Sequence, residues 1–209
     1  MIQVIDNFIS LDCVKKLQDE FYTRPYVKEK HIDSLYGRVL QYRNKNLNYN
    51  LYDDPVHEIL SPAVHQNIGE CNIQNGTFLE SHFPFGLHVD TSETFGKKQF
   101  YSTTKQNFGH ALLIPLSEHN CFQTVFFDWR SMTCPNLPMF DSEKPMITSN
   151  SPNLDHLTEK ARDFLSDKPL IKSIKWNLGS AIIWPRDQLH CSSNFYLTGL
   201  HKLAITMFF

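Results

Sequence analysis

The sequence predicts a mainly β protein with a helical N-terminal part, and two observations support this. From about residue 77 onward, short segments rich in aliphatic, β-branched and aromatic residues alternate with turn residues. Before them, Leu11, Val14, Leu17 and Phe21 fall on one face at helical spacing. Short strands that follow an N-terminal helical part are typical of an all-β core buttressed by helices.

The β core is predicted from seven apolar segments, bounded by turn signals such as Asn75-Gly76, Pro84 and Asn177. A short strand around Val4 and Ile5 precedes them at the N-terminus. The predicted core strands are 77–83, 87–91, 109–116, 122–128, 170–176, 180–184 and 200–209.

Two helices are predicted ahead of this core. The first covers residues 11–22, and either Ser10 or Asp12 can cap its N-terminus. The second covers residues 55–67 and ends before Gly69, which suits the residue after a helix. Together these helices form the predicted N-terminal buttress.

Two stretches break this pattern. Residues 24–54 are polar and tyrosine-rich with weak periodicity, and they predict no element. Residues 130–168 contain four prolines and one predicted helix at 154–166, so we interpret them as an insertion between two core strands. This insertion either has a purely structural role or forms a lid over a pocket. The second interpretation is considered because long loops often carry function.

Composition bounds the function. With 209 residues, 41% hydrophobic and 20% charged, the chain is expected to fold as one globular domain, residues 1–209. With a net charge of −2, the chain has no overall excess of positive charge that would indicate nucleic-acid binding. No apolar run could span a membrane. The five cysteines show no CxxC pair, and we find no signal peptide, so we expect reduced thiols and a cytoplasmic protein. The oligomeric state stays open.

The strongest chemical signal is His88-Val89-Asp90. Side chains two apart on a strand point to the same face, so an imidazole and a carboxylate can reach one metal ion together. Two histidines and one carboxylate on one face of an octahedron leave three positions for other ligands. The pattern alone has low specificity, because His31-Ile32-Asp33 also matches it, in the N-terminal segment.

A third ligand is expected from a late strand, which brings the two ends of the sheet together. His190 follows a buried-looking strand and a Pro-Arg-Asp-Gln turn. Twelve residues later, Lys202 begins a strand in which Lys202, Ala204 and Thr206 alternate with apolar residues. If the first set faces the interior, a buried ammonium needs an anion beside it.

These residues carry a resemblance to a known family. HVD followed by LHCSSNFYLTGLHK, with 102 residues between His88 and His190, resembles the 2-oxoglutarate/Fe(II)-dependent dioxygenase superfamily, in its prolyl-hydroxylase-like branch. VIDNFISLDCVKKLQDEF, GHALLIPLSE and QTVFFD resemble the opening and central strands of such enzymes. The resemblance implies a double-stranded β-helix, or jelly roll, with Fe(II) held by His88, Asp90 and His190. It also implies 2-oxoglutarate and dioxygen as cosubstrates, with Lys202 on the distal carboxylate and Thr206 adding a hydrogen bond.

The chain departs from the family in two places. Phe85 stands where many members have a tyrosine, and no second basic residue follows Lys202, which argues against nucleic-acid repair. The first interpretation is an oxygenase that hydroxylates a C–H bond of a small molecule such as an amino acid. The alternatives are a protein (prolyl-type) side-chain hydroxylase and a non-enzymatic metal-binding jelly roll.

Other residues are weaker candidates. Three aromatic residues could line a pocket, although each is more often plain core, and four basic or aromatic residues could touch a substrate. Cys191 and His201 are expected to point away from the site. The pocket candidates are Phe85, Tyr101 and Trp184, and the substrate candidates are Arg38, Arg43 and the pair Trp129-Arg130.

Overall fold

The computed structural model describes residues 1–23, 37–41, 55–71, 73, 75–81, 84–90, 109–131, 137, 154–195 and 199–209. Its elements, in chain order, are β1 (Gln3–Ile5), α1 (Leu11–Thr23), β2 (Gly37–Gln41), α2 (Pro55–Ile68), β3 (Asn75–Ser81), β4 (His110–Pro115), β5 (Gln123–Arg130), α3 (Glu159–Phe164), β6 (Leu170–Lys175), β7 (Ala181–Pro185), β8 (Gln188–Ser192) and β9 (Lys202–Phe208). Within these described ranges, no helix is long and apolar enough to cross a bilayer.

The strands form two antiparallel sheets. The larger sheet has the order β1-β7-β4-β9-β3-β2, and the smaller has the order β6-β5-β8. Sequence neighbours such as β7 and β8 lie in different sheets, as expected when a chain crosses repeatedly between the layers of a jelly roll. The predicted mainly β fold with an N-terminal helical buttress is confirmed.

The segment 84–90 lies along the free edge of β8. His88 and His190 form an isolated antiparallel bridge, the Asp90 amide donates to the Arg186 carbonyl at 2.8 Å, and the Ser192 amide donates to the Phe85 carbonyl at 3.0 Å. We predicted a strand at 87–91. The described part of that range is not a continuous strand, because a turn at Asp90 and the preceding Pro-Phe-Gly sequence interrupt the ladder.

Alternation along β9 separates two apolar layers. Leu203, Ile205 and Met207 pack against the helical buttress, whereas Ala204 packs in the layer between the sheets. That inner layer is rich in aromatic rings contributed by both sheets, namely Phe122, Phe126, Trp176, Trp184 and Phe195. The set of Lys202, Ala204 and Thr206 therefore faces the layer between the sheets, which meets the condition stated for a buried ammonium at Lys202.

The structure differs from the predicted elements at three places. The turn predicted before His190 is present at residues 186–187, but residues 188–192, for which no strand was predicted, form β8. Residues 37–41 form β2 in a region without a predicted element. The helix predicted at 154–166 is only Glu159–Phe164. It starts late because the Thr158 hydroxyl caps it by accepting from the Ala161 amide at 3.2 Å. Residues 132–136 and 138–153 of the insertion lie outside the described residues.

The turn before β7 ties the helical buttress to the sheet. Gly179 has φ +73°, and its carbonyl accepts from the Ile9 amide at 3.0 Å. A Cβ atom at this position would lie 2.5 Å from the Ile9 carbonyl oxygen. Glycine is required here both by the left-handed backbone and by the close approach of the chain entering α1.

Candidate metal centre

Three side chains from the two ends of the β core meet at one point. Ligand atoms of His88, Asp90 and His190 all lie within 4.8 Å of one another. His88 Nε2 is 4.0 Å from Asp90 Oδ1, and His190 Nε2 is 3.8 Å from Asp90 Oδ2. His88 is partly exposed, whereas Asp90 and His190 are buried, so the cluster opens to solvent on the His88 side.

Both histidines present the same ring nitrogen to the cluster. His88 Nδ1 is 2.8 Å from the Gly86 carbonyl, and His190 Nδ1 is 2.9 Å from the Gln188 carbonyl. Because a carbonyl oxygen can only accept, each Nδ1 carries a proton, and Nε2 is the atom that each ring turns toward the cluster as a ligand. Metal-binding histidines in proteins are oriented by this kind of second hydrogen bond.

The environment of His190 keeps its ring neutral. Burial lowers the pKa of His190 to about 4; the neighbouring His88 lowers it as well, and Asp90 partly offsets both effects. The ring contacts Phe126 and Trp184 at centroid distances of 5.7 and 5.1 Å. At neutral pH the Nε2 lone pair is therefore available to an ion.

Asp90 is held by two residues of the β7–β8 region. The Trp184 indole Nε1 donates to Asp90 Oδ2 at 2.9 Å, and Arg186 Nη2 donates to the Asp90 main-chain carbonyl at 3.2 Å. The Arg186 guanidinium also stacks on Phe208 at the end of β9, 4.7 Å from the ring centre. The carboxylate thus has a defined position before any ion binds.

Lys202 lies inside the sandwich, with 1% of its surface exposed. Its Nζ donates to the Gln123 carbonyl at 3.0 Å and lies over the Trp176 ring, 4.5 Å from its centre. No carboxylate of the described residues lies within ion-pair distance of this ammonium. Burial lowers the pKa of Lys202 to about 7, an effect that the Cys121 and Cys191 thiols partly oppose.

The Lys202 ammonium and the His-Asp-His cluster lie beside different positions along β5. On β5, Gln123 contacts Lys202, whereas Phe126 pairs with His190 across the β5–β8 ladder. Three residues of extended strand correspond to about 10 Å. Thr206 is half-buried and further along β9 than Lys202, toward the end where Phe208 meets Arg186.

Several weaker candidates have other surroundings. Trp129 packs on Phe164 of α3, and Arg130 forms an ion pair with Asp187 at 2.6 Å. Cys191 lies on the opposite face of β8 from His190, in an apolar cluster with α3, as expected. His201 is exposed and 3.7 Å from Glu80.

Three of the sequence candidates cannot be placed. Arg43, Tyr101 and the second motif, His31-Ile32-Asp33, lie outside the described residues, as does the side chain of Arg38. Sequence reasoning missed the hydrogen bond from Trp184 to Asp90 and the contact of Arg186 with Asp90. The signal for both was their position, since they lie four to six residues before His190 on the strand and turn that lead to it.

Comparison with known proteins gives the fold. No protein-family model and no curated protein matches the chain. The non-haem α-ketoglutarate-dependent carbocyclase SnoK, from nogalamycin biosynthesis, aligns over 99% of this chain and 78% of its own, with 9% identity and a TM-score of 0.57. The epimerase SnoN, in complex with Fe³⁺, α-ketoglutarate and nogalamycin RO, aligns over 99% and 77%, with 10% identity and a TM-score of 0.57.

A third solved structure also shares the fold. HygX from Streptomyces hygroscopicus, with nickel and 2-oxoglutarate bound, aligns over 99% of this chain and 81% of its own, with 12% identity and a TM-score of 0.54. At these identities the likeness establishes a shared fold. The jelly-roll architecture expected from the sequence is thereby confirmed.

Proposed function

We propose that residues 1–209 act as one non-haem Fe(II)- and 2-oxoglutarate-dependent dioxygenase domain that hydroxylates a C–H bond of a small molecule, such as an amino acid. The observation that carries the proposal is the pairing of two features in one interior. A His-Asp-His cluster and a fully buried ammonium without a carboxylate partner among the described residues both contact the aromatic layer between the sheets.

The cluster suits iron in its donor atoms. Two imidazole Nε2 atoms and one carboxylate form the facial set that non-haem Fe(II) oxygenases use, with open positions for other ligands. The solved structures that share the fold include proteins with Fe³⁺ or nickel and 2-oxoglutarate bound. Fe(II) with 2-oxoglutarate and dioxygen supplies oxidation of a C–H bond, with succinate and carbon dioxide as coproducts.

Lys202 is assigned to the cosubstrate. Its ammonium contacts β5 at Gln123, three residues along the strand from Phe126, which pairs with His190. We assign the distal carboxylate of 2-oxoglutarate as the anion that this buried ammonium lacks among the described residues. Thr206, on the inward-facing set of β9, is assigned a hydrogen bond to the same molecule. The surrounding aromatic rings exclude water, which strengthens the ion pair.

The substrate class is argued by analogy. HygX has been crystallised with hygromycin B and SnoN with nogalamycin RO, and both ligands are small molecules. A small-molecule substrate is therefore proposed ahead of a peptidyl one. The thiols of Cys13, Cys71, Cys121 and Cys191 are free, which supports action in a reducing compartment such as the cytoplasm.

Succinate formation tests the proposal. Purified protein is supplied with Fe(II), 2-oxoglutarate, ascorbate and pools of amino acids, other metabolites or peptides. We expect succinate that depends on dioxygen, is abolished in His190→Ala and persists in the control variant of an exposed histidine on α2, His65→Ala. The absence of succinate with every pool, from folded protein that also fails to bind 2-oxoglutarate, would overturn the proposal. Stimulation by peptides alone would instead favour the side-chain hydroxylase.

A further inference from the structure

We infer that Trp184 is a positioning residue of the metal centre. Its indole N–H engages one oxygen of the Asp90 carboxylate, so that the other oxygen alone binds the ion. The inference rests on the proposed function, because it assigns Asp90 as a metal ligand. It goes further by explaining how a carboxylate with two equivalent oxygens is restricted to one bond with the ion.

The hydrogen bond joins two buried groups. Trp184 is 3% exposed and Asp90 is 8% exposed, and the Nε1–Oδ2 distance is 2.9 Å. An indole N–H can only donate, and a buried tryptophan needs a partner for it. A buried carboxylate in turn needs donors, so this bond meets the requirement of both residues.

The indole ring has little freedom to leave this position. Trp184 lies on β7, paired with Ala111 of β4, and its ring packs edge-on against Phe126 at 5.5 Å. The same ring is 5.1 Å from the His190 ring at an angle of 61°. Trp184 therefore contacts two of the three ligand residues at once, and it does so from the sheet opposite the one that carries His190.

The consequence is a choice between the carboxylate oxygens. Oδ2 accepts the hydrogen bond from the indole N–H, and an ion that approached the same oxygen would compete with it for the oxygen lone pairs. Distance to the histidines does not distinguish the two oxygens, because Oδ1 is 4.0 Å from His88 Nε2 and Oδ2 is 3.8 Å from His190 Nε2. The hydrogen bond from Trp184 distinguishes them, since it engages Oδ2 and leaves Oδ1 to the ion. A bond through Oδ1 alone uses one coordination position, whereas a bond through both oxygens would use two.

The number of positions matters for the proposed reaction. Three protein atoms leave three positions of an octahedron open, which is what a chelating 2-oxo acid and dioxygen together require. A carboxylate bound through both oxygens would occupy one of those positions. Trp184 therefore acts through Asp90 and need not touch the substrate.

The chain offers a matched control. It has three tryptophans, and Trp129 packs on Phe164 of α3, away from Asp90. Trp129→Phe makes the same chemical change as Trp184→Phe without removing the hydrogen bond to the carboxylate. Trp176 is unsuitable as a control because its ring lies over the Lys202 ammonium.

Cobalt(II) is the probe, since its visible absorption reports the number and geometry of its ligands. Cobalt is titrated into metal-free wild type, Trp184→Phe, Trp129→Phe and Asp90→Ala, without 2-oxoglutarate. We expect Trp184→Phe to bind cobalt roughly 10- to 100-fold more weakly and to change the absorption spectrum of the bound ion. Trp129→Phe should keep the wild-type affinity and spectrum. A purely structural role would lower the affinity but leave the spectrum of the bound ion unchanged.

A second substitution removes the donor and keeps the shape. β-(3-Benzothienyl)alanine at position 184 replaces the N–H by sulfur. It therefore tests the role of the hydrogen bond even if Trp184→Phe does not fold. A wild-type cobalt spectrum in this variant, or in folded Trp184→Phe, overturns the inference. If wild type binds no cobalt, or Asp90→Ala binds it as wild type does, the proposed metal centre itself fails and the inference fails with it.

Discussion

The main chains of His88 and His190 exchange two hydrogen bonds, of 2.9 and 3.0 Å, although the residues are 102 positions apart. This pair places the two imidazole rings side by side, with centroids 4.2 Å apart. Main-chain pairing between the segment 84–90 and β8 therefore brings the candidate ligand residues together.

Lys202→Met should stabilise the fold while weakening the binding of 2-oxoglutarate. The substitution removes a buried ammonium that has no carboxylate partner among the described residues, so we expect the free protein to gain about 1–4 kcal/mol in free energy of unfolding. The loss of the ion pair should weaken 2-oxoglutarate binding by about 2–5 kcal/mol. Urea denaturation and calorimetric titration measure the two effects, and unchanged 2-oxoglutarate affinity would contradict the role of Lys202.

The affinity for 2-oxoglutarate should fall as pH rises above 7. With a pKa of about 7, Lys202 is charged below that pH and neutral above it in the free protein. Binding of the dicarboxylate requires the charged form, so above pH 7 it must take up a proton, and Kd should rise by up to about tenfold per pH unit. Lys202→Arg, which stays charged, should show a much flatter profile. Titrations of the nickel-loaded proteins between pH 6.5 and 8.5 test this, and parallel profiles for the two proteins would refute it.

His156 should make the metal-free protein sensitive to acid. The ring is fully buried, its Nδ1 has no hydrogen-bond partner among the described residues, and burial lowers its pKa to about 4. Because the folded-state pKa lies below the ordinary value of about 6.5, the unfolded chain binds the proton first, and stability is lost as pH falls from 6.5 toward 4. Between pH 7.5 and 5 this amounts to about 2 kcal/mol.

The test compares the free energy of unfolding at these two pH values. His156→Leu should show a loss about 2 kcal/mol smaller than that of wild type. His65→Leu, at an exposed position on α2, should lose as much as wild type does. If all three proteins lose the same amount, His156 is not the source of the sensitivity.

Gly179→Ala should destabilise the fold by more than about 2 kcal/mol. The new Cβ would meet the Ile9 carbonyl oxygen at 2.5 Å, in addition to the strain of φ +73°. Gly199→Ala is the matched control, because Gly199 has φ +69° and a Cβ added there would meet nothing within 4 Å, so it should cost about 1 kcal/mol. Chemical denaturation measures both values, and equal losses would show that the approach of Ile9 is not restrictive.

Much of the fold follows from local sequence patterns. The periodicity of residues 11–22 predicts α1 almost to its ends, and the alternation that begins at Lys202 predicts which residues of β9 share a face. These signals are reliable because the helical and strand periods fix which residues share a face of the element. They also depend only on neighbouring residues.

The sequence did not predict β8, and its composition explains why. Leu189 and Cys191 pack outward in an apolar cluster, but the inward positions hold Gln188 and His190, so the strand is buried and polar at once. Residues that serve a site break the local pattern on which strand prediction relies. The role of Trp184 could not be predicted either, since it depends on where Asp90, 94 residues earlier, meets the indole.

Binding of 2-oxoglutarate to the iron-loaded protein under anaerobic conditions tests the central claim most directly, because it needs no prime substrate. Fe(II) and a chelating 2-oxo acid share a visible charge-transfer absorption that appears only when both occupy one site. We predict this absorption in wild type, its loss in His190→Ala, and a higher 2-oxoglutarate requirement in Lys202→Met. Folded wild-type protein that binds Fe(II) but shows no such absorption, or His190→Ala that shows it unchanged, would contradict the account.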